Sequence, residues 1–504
     1  MTELTAVLDR QLADNPDRRI IKDEGMGRWF TGRDLAEDVA TLEDIFAGLD
    51  LGHGAQVLVC LENAAVFPVI NQAAWHRGII VHPISPSTPI AELAADWAAH
   101  RYPAMLVTPA LAAAWGDDRF TQQPLALNTF PELVVIADPD RAPGQLKPVQ
   151  DSDLGLILNT SGTTGKPKRV GLTHAMLLNA ARYDAASNEM TDQDVAMITM
   201  PMFHINAQVM STLSSRIANA RIVVTPRFSA SRFWDQVADN GVTWVSVVPT
   251  IVSFLLLNDN ANAAYARLKN RIHLRYVRSS SFALPEERLR EFQDRFDTLI
   301  LEGYGMTEAA SQCTINPFDA PKIGSAGKPY GTEVRIVGPD GKRTAAPGVM
   351  GEITIRGNHV ITRYMDPNPD SFADGWFLTG DLGYFDADGY LYVKGRKKEI
   401  ISRGGEKVAP AAVENVLNEL DFIEQLAVVG LPDDLYGEAV CAVVVSTTPG
   451  VDEDAQRAAI FAYAKTHLAK FESPTEVRFV REFPRNITGK VLRPKLVEQL
   501  MATV

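Results

Sequence analysis

Residues 158–174, LNTSGTTGKPKRVGLTH, concentrate groups that hold anions. Thr160, Ser161, Thr163 and Thr164 supply hydroxyls, Gly162 and Gly165 free the backbone, and Lys166 and Lys168 add positive charge. Glycine lets backbone N–H groups approach an anion closely, so such a loop can wrap the phosphates of a nucleotide. It is not a Walker loop, because Gly162 is not followed after four residues by Gly-Lys-Ser/Thr. Taken alone, the string suits a polar surface turn equally well. Lys490 sits in Thr488-Gly489-Lys490 between Pro484 and Pro494, a spacing that suggests a shaped loop. The run Arg396-Lys397-Lys398-Glu399 reads on its own as a solvated polar turn, and His204, between Phe203 and Ile205, as a core histidine.

The elements that must carry these groups follow from the apolar pattern. Short apolar runs at 55–61, 79–83, 105–108 and 133–137 read as strands, with a helix at 65–75. The alternation predicts parallel sheets with helical crossovers. It recurs at 154–158, 195–200, 221–225, 243–248 and 299–301. The strongest apolar run, 245–257, contains Pro249 and is too short to span a bilayer, so a buried element is expected. From about residue 322 the texture changes. Strands at 333–337, 352–356 and 390–393 are separated by turn signals such as Pro339-Asp340-Gly341, which predicts a small β-rich subdomain. After Gly395 a second mixed pattern runs on, so the expected units are an N-terminal domain 1–395, with its β-rich part at about 322–395, and a C-terminal domain 396–504.

Composition limits the function. The chain has 504 residues, 46% hydrophobic and 22% charged, which excludes disorder, collagen and coiled coils. With 49 basic and 62 acidic side chains the formal charge is −13, which argues against a nucleic-acid binder. Cys60, Cys313 and Cys441 are widely spaced and odd in number, so neither a disulfide framework nor a zinc site is expected, and a reduced cytoplasmic protein is. The segment MTELTAVLDRQLADNPDRR lacks the apolar core of a secretory signal.

SGTTGKPKRVGLTH resembles the signature loop of the acyl-adenylate-forming superfamily, which includes acyl-CoA synthetases, peptide-synthetase adenylation domains and beetle luciferases. Five further blocks are similar to that family's and stand in its order: PMFHIN (201–206), YGMTE (304–308), WFLTGDLG (376–383), GRKKEIISRGGE (395–406) and PRNITGKVLR (484–493). The resemblance implies an α/β fold: a large N-terminal part with parallel βα sheets and a small β-rich subdomain, closed by a mobile α+β C-terminal domain. It implies an ATP-dependent, AMP-forming carboxylate–CoA ligase. A carboxylate attacks the α-phosphate of ATP, pyrophosphate leaves, and the CoA thiol then displaces AMP. Activation splits one hard substitution into two easier ones, because AMP leaves far more readily than hydroxide. ATP, Mg²⁺ and CoA are the implied cofactors. The runner-up acceptor is a carrier protein in trans, and monomer and homodimer both stay open.

Roles carried over by the resemblance fall on matching residues only. Thr160, Ser161, Gly162, Thr163, Thr164, Gly165 and Lys168 cradle the β- and γ-phosphates. Glu308, with Thr163, serves Mg²⁺, a cation that takes hard oxygen ligands. Tyr304 stacks on the adenine, Gly303 leaves room for it, and Thr307 contacts the α-phosphate. Asp381 accepts the ribose hydroxyls and Arg396 reaches the ribose or phosphate. Lys490 bridges the attacking carboxylate and the α-phosphate as charge shifts in the transition state. His204 borders the adenylate, Lys398 is the interdomain hinge, and Gly404 and Gly405 line the pantetheine tunnel. Ile205, Val209 and Phe282, with Met200, Met202 and Met210, suggest an apolar acyl pocket and an aliphatic or fatty acid. The chain departs from many relatives at Ser280-Ser281-Phe282, where a Gly-Gly-Ala-like stretch is usual. Segments 278–284 and 403–407 also resemble oxalate–CoA ligases, for which Ser311 is the nearby polar candidate.

Overall fold

A computed structural model describes residues 1–160, 168–404, 406–433, 435–485 and 490–502. The first helix, Glu3–Asp14, is opened by Thr2, whose hydroxyl accepts from Thr5 N–H while Thr5 Oγ1 accepts from Thr2 N–H. Two amides that a helix start would leave unpaired are thereby satisfied. The same device opens the helix Gly32–Gly48, through Thr31 and Asp34.

The described residues form four sheets. A nine-stranded sheet has at its centre the parallel strands Arg221–Val224, Val195–Ile198, Trp244–Val247, Tyr276–Ser279 and Leu299–Met306, with antiparallel strands at both edges. A seven-stranded sheet contains Ala104–Val107, Gln56–Cys60, Ile80–Pro83 and Leu154–Thr160. A six-stranded antiparallel sheet is built on Glu333–Val337, Gly351–Arg356, Trp376–Phe385 and Leu391–Arg396. A five-stranded sheet follows, centred on Ile423–Asp433 and Gly437–Ser446.

The expected strands are present, and the all-parallel expectation needs one correction. Leu133–Ala137 pairs antiparallel with Ala104–Val107 and with Thr121–Leu125, and Leu154–Thr160 pairs antiparallel with Lys168–Thr173. Thr121–Leu125 with Leu133–Ala137, and Leu154–Thr160 with Lys168–Thr173, are joined by connections shorter than the roughly dozen residues a parallel crossover needs, whereas the chain reaches Leu133–Ala137 from Ala104–Val107 through the helix Pro109–Trp115 and the strand Thr121–Leu125. The apolar run 245–257 divides at Pro249 into the end of a strand and the helix Pro249–Leu257. Proline suits that first helical position because the N–H it lacks would have no partner there. Among the described residues, no helix is long and apolar enough to cross a membrane.

Candidate active site

The strands Trp376–Phe385 and Leu391–Arg396 pair so that Asp381 faces Arg396 across the ladder. Arg396 Nε lies 2.7 Å from Asp381 Oδ1, and the Tyr304 hydroxyl donates to Asp381 Oδ2 at 2.6 Å. The Asp381 amide donates to Thr379 Oγ1 at 3.0 Å, which fixes the local backbone. Burial pushes the Asp381 carboxyl above its usual range, against the pull of Arg396 and Tyr304. Both carboxylate oxygens are therefore already engaged, by a cation and by a phenol.

This group opens on a cavity of about 340 Å³, also lined by Phe282, Gly303, Glu399, Lys490 and Arg493. It brings side chains of the six-stranded sheet, the nine-stranded sheet and the C-terminal segment to one place. Burial lowers the Lys490 pKa, as does Arg396, while Glu399 and Asp381 oppose them. Arg493 bonds Glu399 at 3.2 Å and Glu414 at 2.6 Å, so the residue after the Lys490 loop is tied to the segment after Arg396. Glu302, beside Gly303, is pushed up to about 7 by burial, and its carboxylate accepts from Gly324 N–H at 3.2 Å.

Gly303 has a structural reason of its own. A Cβ there would lie 2.9 Å from the Thr314 carbonyl oxygen and 3.0 Å from the Arg278 guanidinium. Its missing side chain thus leaves room for Arg278, beneath the strand that carries Tyr304.

A second cluster surrounds Glu308, in the short 3₁₀ turn Thr307–Ala309 that follows Met306. The Tyr364 hydroxyl donates to Glu308 Oε1 at 2.7 Å. Lys168 stands opposite Thr160 in the strand pair, with its ammonium 4.6 Å from the Tyr364 ring centroid. Arg396 feels Glu308 as well as Asp381, so the two clusters adjoin. Among the described residues, no group of three or more His, Cys, Asp or Glu could hold a metal alone. A lone carboxylate fits Mg²⁺, which keeps several waters and binds substrate phosphates beside one or two carboxylates. Ser161, Gly162, Thr163, Thr164, Gly165 and Gly405 lie outside the described residues.

Other expected residues fall elsewhere. His204 opens the helical segment after Pro201, burial lowers its pKa to about 4, and its Nε2 makes no hydrogen bond. It is a neutral imidazole at pH 7. Val209 lies in the wide helix Asn206–Leu213, where Ser214 N–H bonds the Val209 carbonyl five residues back. Val209 is buried in the main core, and neither it nor Ile205 lines the cavity. Phe282 does, next to Ser281, whose φ of 84° is a left-handed conformation strained for a non-glycine residue. Gly404, at φ 60°, donates its N–H to the Tyr436 carbonyl at 2.7 Å and lines no part of the cavity. Lys398 is exposed in a turn closed by Glu399 N–H bonding the Arg396 carbonyl at 2.9 Å.

Sequence reasoning singled out neither Tyr364 nor Glu302. Tyr364 sits in a short irregular segment with no repeat or charge signal; Glu302 directly precedes Gly303 and was within reach. Glu399 and Arg493 lay inside quoted blocks, but only the fold pairs them.

Comparison with known proteins agrees with this geometry. Residues 8–365 match the AMP-binding enzyme family and residues 412–490 the AMP-binding enzyme C-terminal domain. The sulfoacetate–CoA ligase of Cupriavidus necator is 35% identical over 98% of this chain and 97% of its own. An oxalate–CoA ligase of Saccharomyces cerevisiae is 35% identical over 72% of this chain and 66% of its own. ATP-bound MatB from Rhodopseudomonas palustris superimposes with a TM-score of 0.83 at 25% identity, covering 98% of both chains. The Bacillus subtilis o-succinylbenzoate CoA synthetase MenE, with ATP and magnesium, gives 0.79 at 26% identity over 97% of this chain and 98% of that one. The chain belongs to the AMP-binding enzyme family. It is an ATP-dependent, AMP-forming carboxylate–CoA ligase, an acid–thiol ligase whose reaction uses ATP, Mg²⁺ and CoA.

Proposed function

We propose that the cavity joining Asp381, Arg396 and Lys490 binds the nucleoside end of ATP and performs adenylate formation. The observation that carries this is the meeting of Lys490, from the C-terminal segment, with Asp381 and Arg396 in one cavity. Asp381 accepts the ribose hydroxyls, trading the Tyr304 phenol for the sugar. Tyr304 packs on the adenine and Thr307 meets the α-phosphate. Lys490 bridges the acid's carboxylate and the α-phosphate. A carboxylate oxygen forms a bond to the α-phosphorus, the bond to the bridging oxygen of pyrophosphate breaks, and the ammonium meets the moving charge. Lys168, with the hydroxyls of 160–164, holds the β- and γ-phosphates, and Glu308 with Thr163 holds Mg²⁺, which offsets charge on the phosphates. Residues 396–504 then act as a lid pivoting at Lys398, which brings Gly404 and Gly405 to the CoA thiol. Three free, buried thiols support a reducing, cytoplasmic setting. ATP–pyrophosphate exchange that depends on an added acid, followed by thioester formation with CoA and then with a phosphopantetheinylated carrier, tests the reaction and its acceptor.

The acid has two readings. An aliphatic one rests on apolar side chains, but Met200, Met202, Val209 and Met210 are all packed in the interior. The second, a small acid with another anionic or polar group, rests on the polar face beneath Gly303. There Arg278 donates to Gln312 Oε1 at 3.1 Å and to Ser280 Oγ at 2.8 Å, and Asn206 donates to Ser246 Oγ at 2.9 Å. Asp184, pushed up to about 7 by burial, lies near Arg278 and Ser311. Asn206 Oδ1 there is buried with no hydrogen-bond partner, so a substrate that pairs it gains over a hydrocarbon that does not. The sulfoacetate and oxalate ligases among the relatives support the second reading. A panel of oxalate, sulfoacetate, acetate, octanoate and palmitate, followed as AMP release, decides. Turnover fastest with octanoate or palmitate returns the aliphatic reading.

A further inference from the structure

Tyr364 stands between two groups of opposite charge. Its hydroxyl donates to Glu308 Oε1 at 2.7 Å, and its ring face takes the Lys168 ammonium at 4.6 Å. A phenol can serve both, because its π face attracts a cation and its O–H donates to an anion. The ring is held firmly: it is 7% exposed, with Phe372 and Phe377 edge-on at 5.9 and 6.1 Å. The backbone around it is tied to Glu308 and to the neighbour of Lys168. Ile361 N–H donates to the Glu308 carbonyl at 2.9 Å, and Met365 N–H to the Arg169 carbonyl at 3.0 Å. Lys168 also reaches Ser371 Oγ at 3.4 Å.

A lysine and a glutamate that met without this spacer would pair with each other. The ammonium would then be lost to phosphate and the carboxylate to a metal. We propose that Tyr364 is a positioning residue for the phosphate end of ATP: its hydroxyl orients the Glu308 carboxylate toward Mg²⁺, and its ring keeps the Lys168 ammonium apart from that carboxylate and ready for a phosphate oxygen. The inference rests on the roles proposed above for Glu308 and Lys168.

Two variants of the full chain separate the halves of this role, with Glu308→Gln as control. Mn²⁺ affinity in the presence of ATP, read by electron paramagnetic resonance without turnover, is measured beside the Mg²⁺ dependence of acid-dependent ATP–pyrophosphate exchange. Tyr364→Phe keeps the ring and loses the hydroxyl. It weakens Mn²⁺ binding and raises the half-saturating Mg²⁺ by about tenfold, the scale of one hydrogen bond to a charged group. KM for the acid and acyl transfer from a supplied acyl-adenylate to CoA stay at wild-type values. Tyr364→Leu loses the ring face as well, and KM for ATP rises further. Tyr364→Phe with wild-type Mn²⁺ affinity, beside a weakened Glu308→Gln, overturns the inference alone. Glu308→Gln with wild-type Mn²⁺ affinity overturns the metal role of Glu308 and the inference with it. Equal losses in both half-reactions also overturn it, because they mark a folding fault.

Discussion

Lys490 is a cation in a crowd of charges, and its surroundings argue for a role made only in the transition state. Arg396 and Arg493 disfavour its charge and burial adds to that, while Glu399 and Asp381 support it. An ammonium so placed gains most when further negative charge arrives beside it. Lys490→Ala is expected to slow adenylate formation by roughly 10²–10³-fold, the usual loss for one stabilising contact to developing charge. Acyl transfer from a supplied acyl-adenylate should be spared, and single-turnover kinetics of the two halves measures both; equal losses would make Lys490 structural. Asp381→Ala removes a charged acceptor worth about 1.5–3 kcal/mol. The dissociation constant for ATP, measured by calorimetry, should rise about tenfold to a hundredfold. Unchanged ATP affinity in a folded variant would remove Asp381 from the nucleotide site. Asp381, Arg396, Tyr304 and Lys490 could be singled out only because each sits in a block that resembles the family's, and the fold brings all four to one cavity. Tyr364 was not, since an aromatic residue in an irregular segment reads as packing until its hydroxyl and its ring face are seen to have different partners.

At the scale of elements, strand positions could be read from apolar runs, whereas their partners could not. The run at 133–137 reads the same whether it joins a sheet parallel or antiparallel, and its direction is set by the short connection from Thr121–Leu125, a strand the apolar pattern did not mark. The expected acyl pocket divides for a related reason: Phe282 lines the cavity, whereas Val209 and Met210, as apolar in a core as beside a ligand, are buried away from it. Polar contacts between helices were equally hidden. His76, on the helix Phe67–His76, bonds Asp9 of Glu3–Asp14 at 2.8 Å through Nε2 and Glu43 of Gly32–Gly48 through Nδ1. Gln72 and Arg216 complete the surroundings of Asp9. Burial opposes the imidazolium, but the two carboxylates outweigh it and raise the His76 pKa to about 9. An unfolded histidine titrates near 6.5, so the stabilisation is whole below about pH 6.5 and is lost as pH rises through 9. A gap of that size corresponds to about 3 kcal/mol. Urea unfolding of wild type and His76→Gln should therefore converge between pH 6.5 and 9.5. Parallel curves across that range would show that His76 stays neutral in the fold.

On the pivot proposed at Lys398, the whole molecule would join two sites that cannot be assembled at once. Lys490 meets Asp381 and Arg396 in the cavity, while Gly404, from the same C-terminal segment, lines no part of it. Bringing Gly404 to the thiol requires that segment to turn as a body about the junction after Arg396. A contact anchors each side of that junction: Lys397 Nζ to Glu352 at 3.0 Å before it, and Arg493 to Glu399 at 3.2 Å after it. Between them Lys398 is exposed, and the backbone hydrogen bonds of its turn are donated by Lys397, to the Gly380 carbonyl, and by Glu399, to the Arg396 carbonyl. Proline at 398 would remove neither bond. It would fix φ near −65° and, from the third position of the turn, disfavour the helical region for Lys397, so it strains the turn while blocking a large torsion change. Hinges act through such changes at one or two positions. Lys398→Pro is thus expected to leave adenylate formation within about tenfold of wild type, because one of two states is retained. Thioester formation should fall far more, and the acyl-adenylate should accumulate on the enzyme when CoA is supplied. Rapid-quench measurement of acyl-adenylate and thioester reads both quantities. If the two steps slow in proportion, or neither changes, the pivot lies elsewhere and the rotation does not run through Lys398.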